Sequence, residues 1–374
     1  MGDKQKIAIL LPDLGGGGAE RVSLDLAHEF TRMGHRVEFV VMHAVGEFLG
    51  EAQSAFTIFD LQANRFMKVP GALARYLQKS KPDSLIAAMW PLTVIASVAR
   101  SITRHRFTLL ISEHCDLSSQ YREWGVLHRL VLRASMAMTY RGADARVGVS
   151  QGVVDDIARL AFMQKNHFQV IHNPVAARTI QKPTALADIE RLWKAPGGER
   201  ILSVGSFKKQ KNHPLLLRAF ARMQPRPNSR LMLLGNGDDE PDLRLLCSNL
   251  DISHQVIFAG FHEDVRPFYE TADLFVLSSD YEGFGNVIVE ALACGTPVVS
   301  TNCPSGPAEI LDGGRFGALV PVGDEAGLAK AIISTLSTPY DPAQLQFRAK
   351  AFAPEIAAVK YLGLLQCEPS ANRL

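Results

Sequence analysis

The segment Tyr281-Glu-Gly-Phe-Gly-Asn-Val-Ile-Val-Glu290-Ala-Leu-Ala-Cys-Gly-Thr-Pro-Val-Val-Ser300-Thr301 constrains this chain more than any other. Before it, Leu274 to Leu277 is a continuous apolar run that reads as a buried strand within Ala272–Ser279. Asp280 to Gly285 reads as loop. Asn286 to Ala293 has helical composition, with Val287, Ala291 and Cys294 on one face. Gly295 is a helix-stop residue, Pro297 follows, and Pro297 to Thr301 opens the next strand. Strand, loop, helix, strand is the unit of a parallel α/β sheet, whose ligands sit at the strand C-termini.

Glu282 lies in that loop and Glu290 one turn into the helix, so both can face one crevice. Carboxylates accept hydrogen bonds from hydroxyls, and backbone N–H groups at a helix start bind anions. Phe284, Gly285 and Asn286 supply those amides. The combination suits a ligand with a diphosphate and several sugar hydroxyls. Two Glu residues alone more often mean a solvated loop residue and a helix-surface residue, so the rest of the chain decides.

That rest is an alternation of strands and helices. Ile7 to Leu11 reads as a strand, and Ala19 to Met33 as an amphipathic helix with Val22, Leu26, Phe30 and Met33 on one face. Further strands are expected at Arg36–Met42, Leu85–Met89, Leu109–Ser112 and Ala145–Val149. After a polar, Pro-containing stretch at 176–199, the pattern restarts with strands at Ile201–Val204, Arg230–Leu234 and Val256–Ala259. Pro354 to Gln366 reads as a final helix. With 374 residues and 47% apolar content, two α/β domains are expected.

Charge and cysteine content narrow the function classes. A net charge of +2 argues against a dedicated nucleic-acid binder. Residues 1–175 carry 20 basic and 16 acidic side chains, and 176–374 carry 20 and 22. The basic excess gathers at 68–106, where Lys68, Arg75, Lys79, Lys81, Arg100, Arg104 and Arg106 meet only Asp83. Cys115, Cys247, Cys294, Cys303 and Cys367 show no CxxC spacing and are odd in number, which fits reduced thiols in a cytosol. The longest apolar stretch, Leu85 to Ala99, is broken by Pro91 and is short of the ~20 residues that span a bilayer. A cytoplasmic protein is expected, at most lying on a membrane surface.

Other motifs stand in a fixed order: Gly15-Gly-Gly-Gly18-Ala-Glu20-Arg21-Val22, Ser112-Glu-His114, Ala143 to Ser150, His172-Asn-Pro174, and Val204-Gly-Ser-Phe-Lys-Lys-Gln-Lys211-Asn212. Leu234-Gly-Asn-Gly237 precedes the Glu282/Glu290 segment, and Cys303-Pro-Ser-Gly-Pro-Ala-Glu309 follows it. Each admits a plain reading: a tight turn at Gly15–Gly18, a solvated basic loop at Lys208–Lys211, a structural histidine at His114, ordinary turns at His172–Pro174 and Gly235–Gly237. Glu20 stands where a dinucleotide fingerprint would need its third Gly or Ala.

The ordered series closely resembles retaining glycosyltransferases of the GT-B architecture, specifically glycosyltransferase family four, over nearly the whole chain. Ser279 to Glu309 is most like the subgroup that builds bacterial surface polysaccharides and lipid-linked oligosaccharides. The resemblance implies two Rossmann-like parallel-sheet domains facing a central cleft. Residues 1–175 would bind the acceptor, with a C-terminal helix at 355–374 packing back onto them; residues 176–354 would bind the nucleotide-sugar donor. Closure over the cleft would exclude water.

By the same resemblance, Glu290 accepts from ribose hydroxyls, Glu282 contacts the transferred sugar, and Phe284 to Asn286 hold phosphate. Lys211 stabilises the departing diphosphate electrostatically. His114 hydrogen-bonds a donor-sugar hydroxyl, Gly16 and Gly17 border the donor diphosphate and the acceptor, and Gly235 lies near the base. Ser206 departs from the pattern, because the family usually has Arg there; Lys208 or Lys209 supplies charge but not a planar fork. The expected donor is a nucleoside-diphosphate sugar, UDP first and GDP second, with no other cofactor and no metal. The expected acceptor is a saccharide or polyprenyl-diphosphate-linked saccharide. No nucleic-acid partner is expected.

Val126 to Tyr140 places Leu127, Leu130, Val131 and Ala134 on one side, with Arg129 and Arg133 elsewhere. Together with the 68–106 cluster this suits either peripheral contact with anionic lipid or an ordinary solvated helix. Two other functions stay open at this level: a nucleotide-sugar epimerase of the same architecture, and a non-catalytic nucleotide-binding partner subunit, for which Ser206 is the only support.

Overall fold

A computed structural model describes residues 4–63, 65–175, 186–193, 198–223 and 226–366. Most of the polar stretch at 176–199, Cys367 and the last residues of the expected C-terminal helix lie outside them. The chain divides into two compact units, Met1–Ala176 with Ala353–Leu374, and Ala177–Phe352.

The first unit holds seven strands: β1 (Lys6–Leu11), β2 (Arg36–Val41), β3 (Thr57–Asp60), β4 (Ser84–Ala88), β5 (Thr108–Glu113), β6 (Ala145–Gly148) and β7 (Gln169–Val170). They pair in the order β3-β2-β1-β4-β5-β6-β7, every pair parallel. β4 and β5 are buried throughout, as strands covered on both faces by helices must be. Helix Gly18–Arg32 buries Val22, Leu26 and Phe30 in a core shared with Ala357, Ala358, Tyr361, Leu362 and Leu365 of helix Pro354–Leu365.

The second unit holds six strands: β8 (Arg200–Val204), β9 (Arg230–Leu234), β10 (Val256–Gly260), β11 (Leu274–Leu277), β12 (Val298–Thr301) and β13 (Ala318–Val320). Their order is β10-β9-β8-β11-β12-β13, again all parallel. In each sheet the strand order reverses once, between β1 and β4 and between β8 and β11. Such a switch point leaves a crevice at the strand C-termini, because the connections on its two sides run over opposite faces.

Helix Asn286–Ala293 forms over the residues that the sequence indicates, between β11 and β12. Three edge strands, β3, β7 and β13, are additions to the sequence reading. The other strands named from the sequence, and helices Gly18–Arg32, Val126–Thr139 and Pro354–Leu365, differ from expectation by a residue or two at their ends, whereas most of the remaining helices lie in stretches to which the sequence reading assigned no element.

Candidate functional site

The loops after β8 and β11 flank the switch point of the second sheet, and side chains from each meet there. Lys211 leaves the β8 loop at the end of a single helical turn, Lys209–Lys211. Asn212 follows with φ 44°, a left-handed conformation that Asn tolerates, and its side-chain oxygen accepts from Leu215 N at 3.2 Å. It thereby caps helix His213–Arg222. The same side chain donates to Asp280 Oδ1 at 2.7 Å, and Asp280 N donates to the Gln210 carbonyl at 2.9 Å. The two loops are therefore laced together.

Within that lacing, Lys211 Nζ donates to Glu282 Oε1 at 2.7 Å. Ser279 Oγ donates to the same oxygen at 2.6 Å. Both charges are mostly out of water, with side-chain exposures of 17% for Lys211 and 7% for Glu282. Such a pair is held only because each partner neutralises the other. Two neighbours register the enclosure. Burial, with Lys211 beside it, lowers His213 to about 4. Burial, with the Glu282 charge nearby, pushes the Cys303 thiol up to about 12.

Gly285 caps helix Asn286–Ala293 at φ 101°, and no side chain caps the helix. A non-glycine residue would be strained at that φ. Phe284 is buried and packs edge-on against Phe352, with ring centroids 5.4 Å apart. A Cβ on Gly306 would stand 1.8 Å from the Phe284 carbonyl oxygen, so the loop after β12 presses directly on the backbone of this turn.

Glu290 sits on that helix with Tyr269 Oη donating to its Oε2 at 3.0 Å. Its partner thus differs from those of Glu282. A carboxylate accepts about four hydrogen bonds, so capacity for further donors remains.

Gly235 has φ 142°, and a Cβ there would lie 2.2 Å from the Gly205 carbonyl oxygen. The loop after β9 consequently lies against the loop after β8, where Phe207 N donates to the Asn236 carbonyl at 2.7 Å. Ser206 is half-buried in this contact and its carbonyl accepts from Lys208 N at 2.9 Å. Lys208 and Lys209 are exposed.

In the first unit, Gly16 and Gly17 lie in the exposed loop before helix Gly18–Arg32, with Gly17 as its cap. Carboxylates stand against both: a Cβ on Gly16 would be 3.2 Å from Glu47 Oε2, and one on Gly17 would be 2.3 Å from Glu20 Oε2. This loop presents acceptors as well as amides. His114 follows β5 directly. Ser112 Oγ is 3.1 Å from its Nε2 and 2.9 Å from Tyr361 Oη. Burial lowers His114 to about 4, so the imidazole is neutral at pH 7.

Glu113, beside it, is buried and accepts from Tyr140 Oη at 2.5 Å, Thr93 Oγ1 at 2.9 Å and Trp90 N at 3.1 Å. Burial nonetheless raises its carboxyl to about 7.

Sequence reasoning did not single out Ser279, Tyr269 or Tyr361. A serine pair ahead of Asp280 was the only local signal for Ser279, and neither tyrosine has one. Lys211, Glu282, Glu290, Phe284–Asn286, Ser206 and Gly235 all belong to the second unit, and His114, Gly16 and Gly17 to the first.

Two family models cover most of the chain. "Glycosyltransferase Family 4" matches residues 16–178 and "Glycosyl transferases group 1" matches residues 187–352. One relative, from Campylobacter jejuni, is the N-acetylgalactosamine-N,N'-diacetylbacillosaminyl-diphospho-undecaprenol 4-alpha-N-acetylgalactosaminyltransferase. It is 28% identical over 340 residues, covering 89% of this chain and 90% of its own. Another, the lipopolysaccharide core biosynthesis glycosyltransferase LpsE of Rhizobium meliloti, is 28% identical over 84% of each chain. Anabaena HepE, solved in complex with UDP and glucose, superposes with a TM-score of 0.81 over 97% of this chain and 100% of its own. At 22% identity that likeness is one of fold.

Proposed function

Because the chain belongs to glycosyltransferase family four, of the GT-B architecture, we propose that it moves a hexose-type sugar from a nucleoside-diphosphate donor to a hydroxyl of a saccharide or polyprenyl-diphosphate-linked saccharide, with retention of configuration. UDP is the first nucleotide to test, given the UDP complex of HepE, and GDP the second. The acceptor class follows the diphospho-undecaprenol and lipopolysaccharide-core relatives.

The Lys211–Glu282 pair at the β8/β11 switch point carries the reading. An ammonium has three donors, so Lys211 can keep Glu282 and still reach a diphosphate oxygen. As the sugar–phosphate bond breaks, negative charge grows on the departing diphosphate, and a fixed, poorly hydrated cation stabilises it most at that moment. Glu282 accepts from hydroxyls of the transferred sugar. Glu290, on the adjacent helix, takes the ribose hydroxyls. The N-terminus of helix Asn286–Ala293, with Phe284, Gly285 and Asn286, takes phosphate. Ser206 and Gly235 border the nucleotide. His114 is the proposed partner of a donor-sugar hydroxyl, and Gly16 and Gly17 are proposed to border the donor diphosphate and the acceptor. The first unit takes the acceptor and the second the donor.

A membrane surface is the proposed workplace. No helix among the described residues is long and apolar enough to cross a bilayer. Helix Val126–Thr139, however, buries only Leu132 and Met136. Val126, Leu127, Leu130, Val131 and Met138 are exposed on it, with Trp124 just before. Arg129 and Arg133 are exposed beside them. An apolar face edged by arginines fits the headgroup layer of an anionic bilayer and supports the reading of a protein that works on the inner face of the cytoplasmic membrane. Cys115, Cys247, Cys294 and Cys303 are free thiols, in keeping with a reducing compartment.

The test is a transfer assay with the purified chain, a panel of UDP- and GDP-sugars and short polyprenyl-diphosphate saccharides, with the product's anomeric configuration read by NMR. One sugar nucleotide giving an α-linked product from an α-donor meets the expectation. An inverted product, or a changed sugar nucleotide without an acceptor, refutes it.

A further inference from the structure

Tyr361 and His114 are far apart in sequence, yet a single serine joins them. Ser112 Oγ is 2.9 Å from Tyr361 Oη and 3.1 Å from His114 Nε2. Ser112 and Tyr361 are each 1% exposed. His114 Nδ1 is buried and has no hydrogen-bond partner among the described residues.

The direction of the chain follows from counting protons. Among the described residues, Ser112 Oγ is the only hydrogen-bond partner of the Tyr361 hydroxyl. A buried phenol proton needs an acceptor, so Tyr361 donates to Ser112. Ser112 has one proton of its own, and it goes to His114 Nε2. An imidazole that accepts at Nε2 and is neutral carries its proton on Nδ1. Burial supports the neutral states, since it raises Tyr361 to about 12 and lowers His114 to about 4. Nδ1–H is then a buried donor that lacks an acceptor among the described residues.

We propose that Tyr361, on the C-terminal helix Pro354–Leu365, is a positioning residue: acting through Ser112, it fixes His114 as the Nδ1–H tautomer, a hydrogen-bond donor whose acceptor is an oxygen of the bound saccharide. The saccharide part rests on the transferase reading above; the tautomer part does not. The helix that closes the chain thereby sets the chemistry of a residue that follows β5. Without the Tyr361 hydroxyl, Ser112 is released to rotate, Nε2 can take the proton, and Nδ1 becomes an acceptor, which repels an ether or carbonyl oxygen and obliges a hydroxyl to turn its own proton to the ring.

The test uses the full chain with ¹⁵N-labelled histidine and long-range proton–nitrogen correlation spectra. His114 is assigned by the signal lost in His114→Gln. The expected wild-type spectrum shows a protonated Nδ1 and a pyridine-like Nε2, unchanged from pH 6 to 8. Tyr361→Phe, which keeps the ring and its packing, should shift His114 toward the Nε2–H form or a mixture, and Ser112→Ala should do the same. In the transfer assay, Tyr361→Phe should lower kcat/KM about tenfold, the scale of one hydrogen bond. It should leave the thermal midpoint nearly unchanged.

A wild-type Nε2–H signal, or a His114 tautomer indifferent to Tyr361→Phe, overturns the proposal. A tautomer shift with an unchanged kcat/KM overturns the saccharide contact. Absence of wild-type turnover with every sugar nucleotide counts against the transferase reading and not against the tautomer, which the spectra report by themselves.

Discussion

Lys211 Nζ and Glu282 Oε1 stand 2.7 Å apart although 71 positions separate them in sequence. Adjacency of β8 and β11 makes the contact possible, since the two residues leave the C-terminal ends of neighbouring strands. Breaking the pair from one side leaves a buried charge uncompensated. Lys211→Met should therefore destabilise the fold by about 3 kcal/mol or more and reduce transfer at least ~100-fold. Lys211→Met with Glu282→Gln should recover most of the stability and none of the transfer. Chemical denaturation and initial rates on the same preparations separate the two effects. Recovery of transfer in the double variant would contradict the electrostatic role.

By the family resemblance read from the sequence, Ser206 stands where an Arg is expected. Adding the planar fork should strengthen UDP binding, so Ser206→Arg is expected to tighten it several-fold, whereas Ser206→Ala should change it little. Equilibrium binding at fixed ionic strength checks both.

The stability of the fold should carry an opposing pair of pH dependences. Glu113 keeps its proton up to about pH 7 when folded, because it is buried, against 4.5 as its ordinary value. The contribution of the protonated group is full below pH 4.5 and is lost as pH rises to 7, an effect of about 3 kcal/mol. His114 and His213 are depressed to about 4 by burial from 6.5. Their contribution is full above pH 6.5 and is lost as pH falls toward 4. Glu113→Gln removes the first dependence alone. Wild-type stability should therefore fall relative to the variant between pH 4.5 and 7, as followed by urea titrations at each pH.

Helix Val126–Thr139 should bind vesicles containing anionic phospholipid and ignore purely zwitterionic ones. Leu127→Glu with Leu130→Glu, both at exposed positions, should abolish co-flotation and leave the thermal midpoint within about 2 °C, since exposed substitutions seldom cost more than ~0.5 kcal/mol. Arg129→Glu with Arg133→Glu should weaken binding and blunt its salt dependence. Equal binding to both vesicle types would refute the electrostatic part.

The fold is legible wherever burial writes itself into composition. β4, β5, β9 and β11 contain continuous apolar runs because helices cover both faces of a parallel sheet. The strands that escape the pattern are edges: β3 has exposed Thr57 and Asp60, β7 has two residues, and β13 is only half-buried along most of its length. Lys211, Glu282 and Glu290 are picked out in the sequence by their places in the ordered motif series and the family resemblance it carries. Their partners are not, because Lys211–Glu282, Glu290–Tyr269 and Ser112–Tyr361 are set by which strands and helices become neighbours. The apolar side of helix Val126–Thr139 shows the converse: the sequence pattern is visible, but only the structure shows that side to be exposed.

The most direct measurement is calorimetric titration of UDP, GDP and ADP into the full chain and into Glu290→Ala. Selective binding of one nucleotide, UDP first, that weakens tenfold or more in the variant is the predicted result. Wild-type binding that survives unchanged in Glu290→Ala, or no binding by any nucleotide, would contradict a donor site at the β8/β11 switch point.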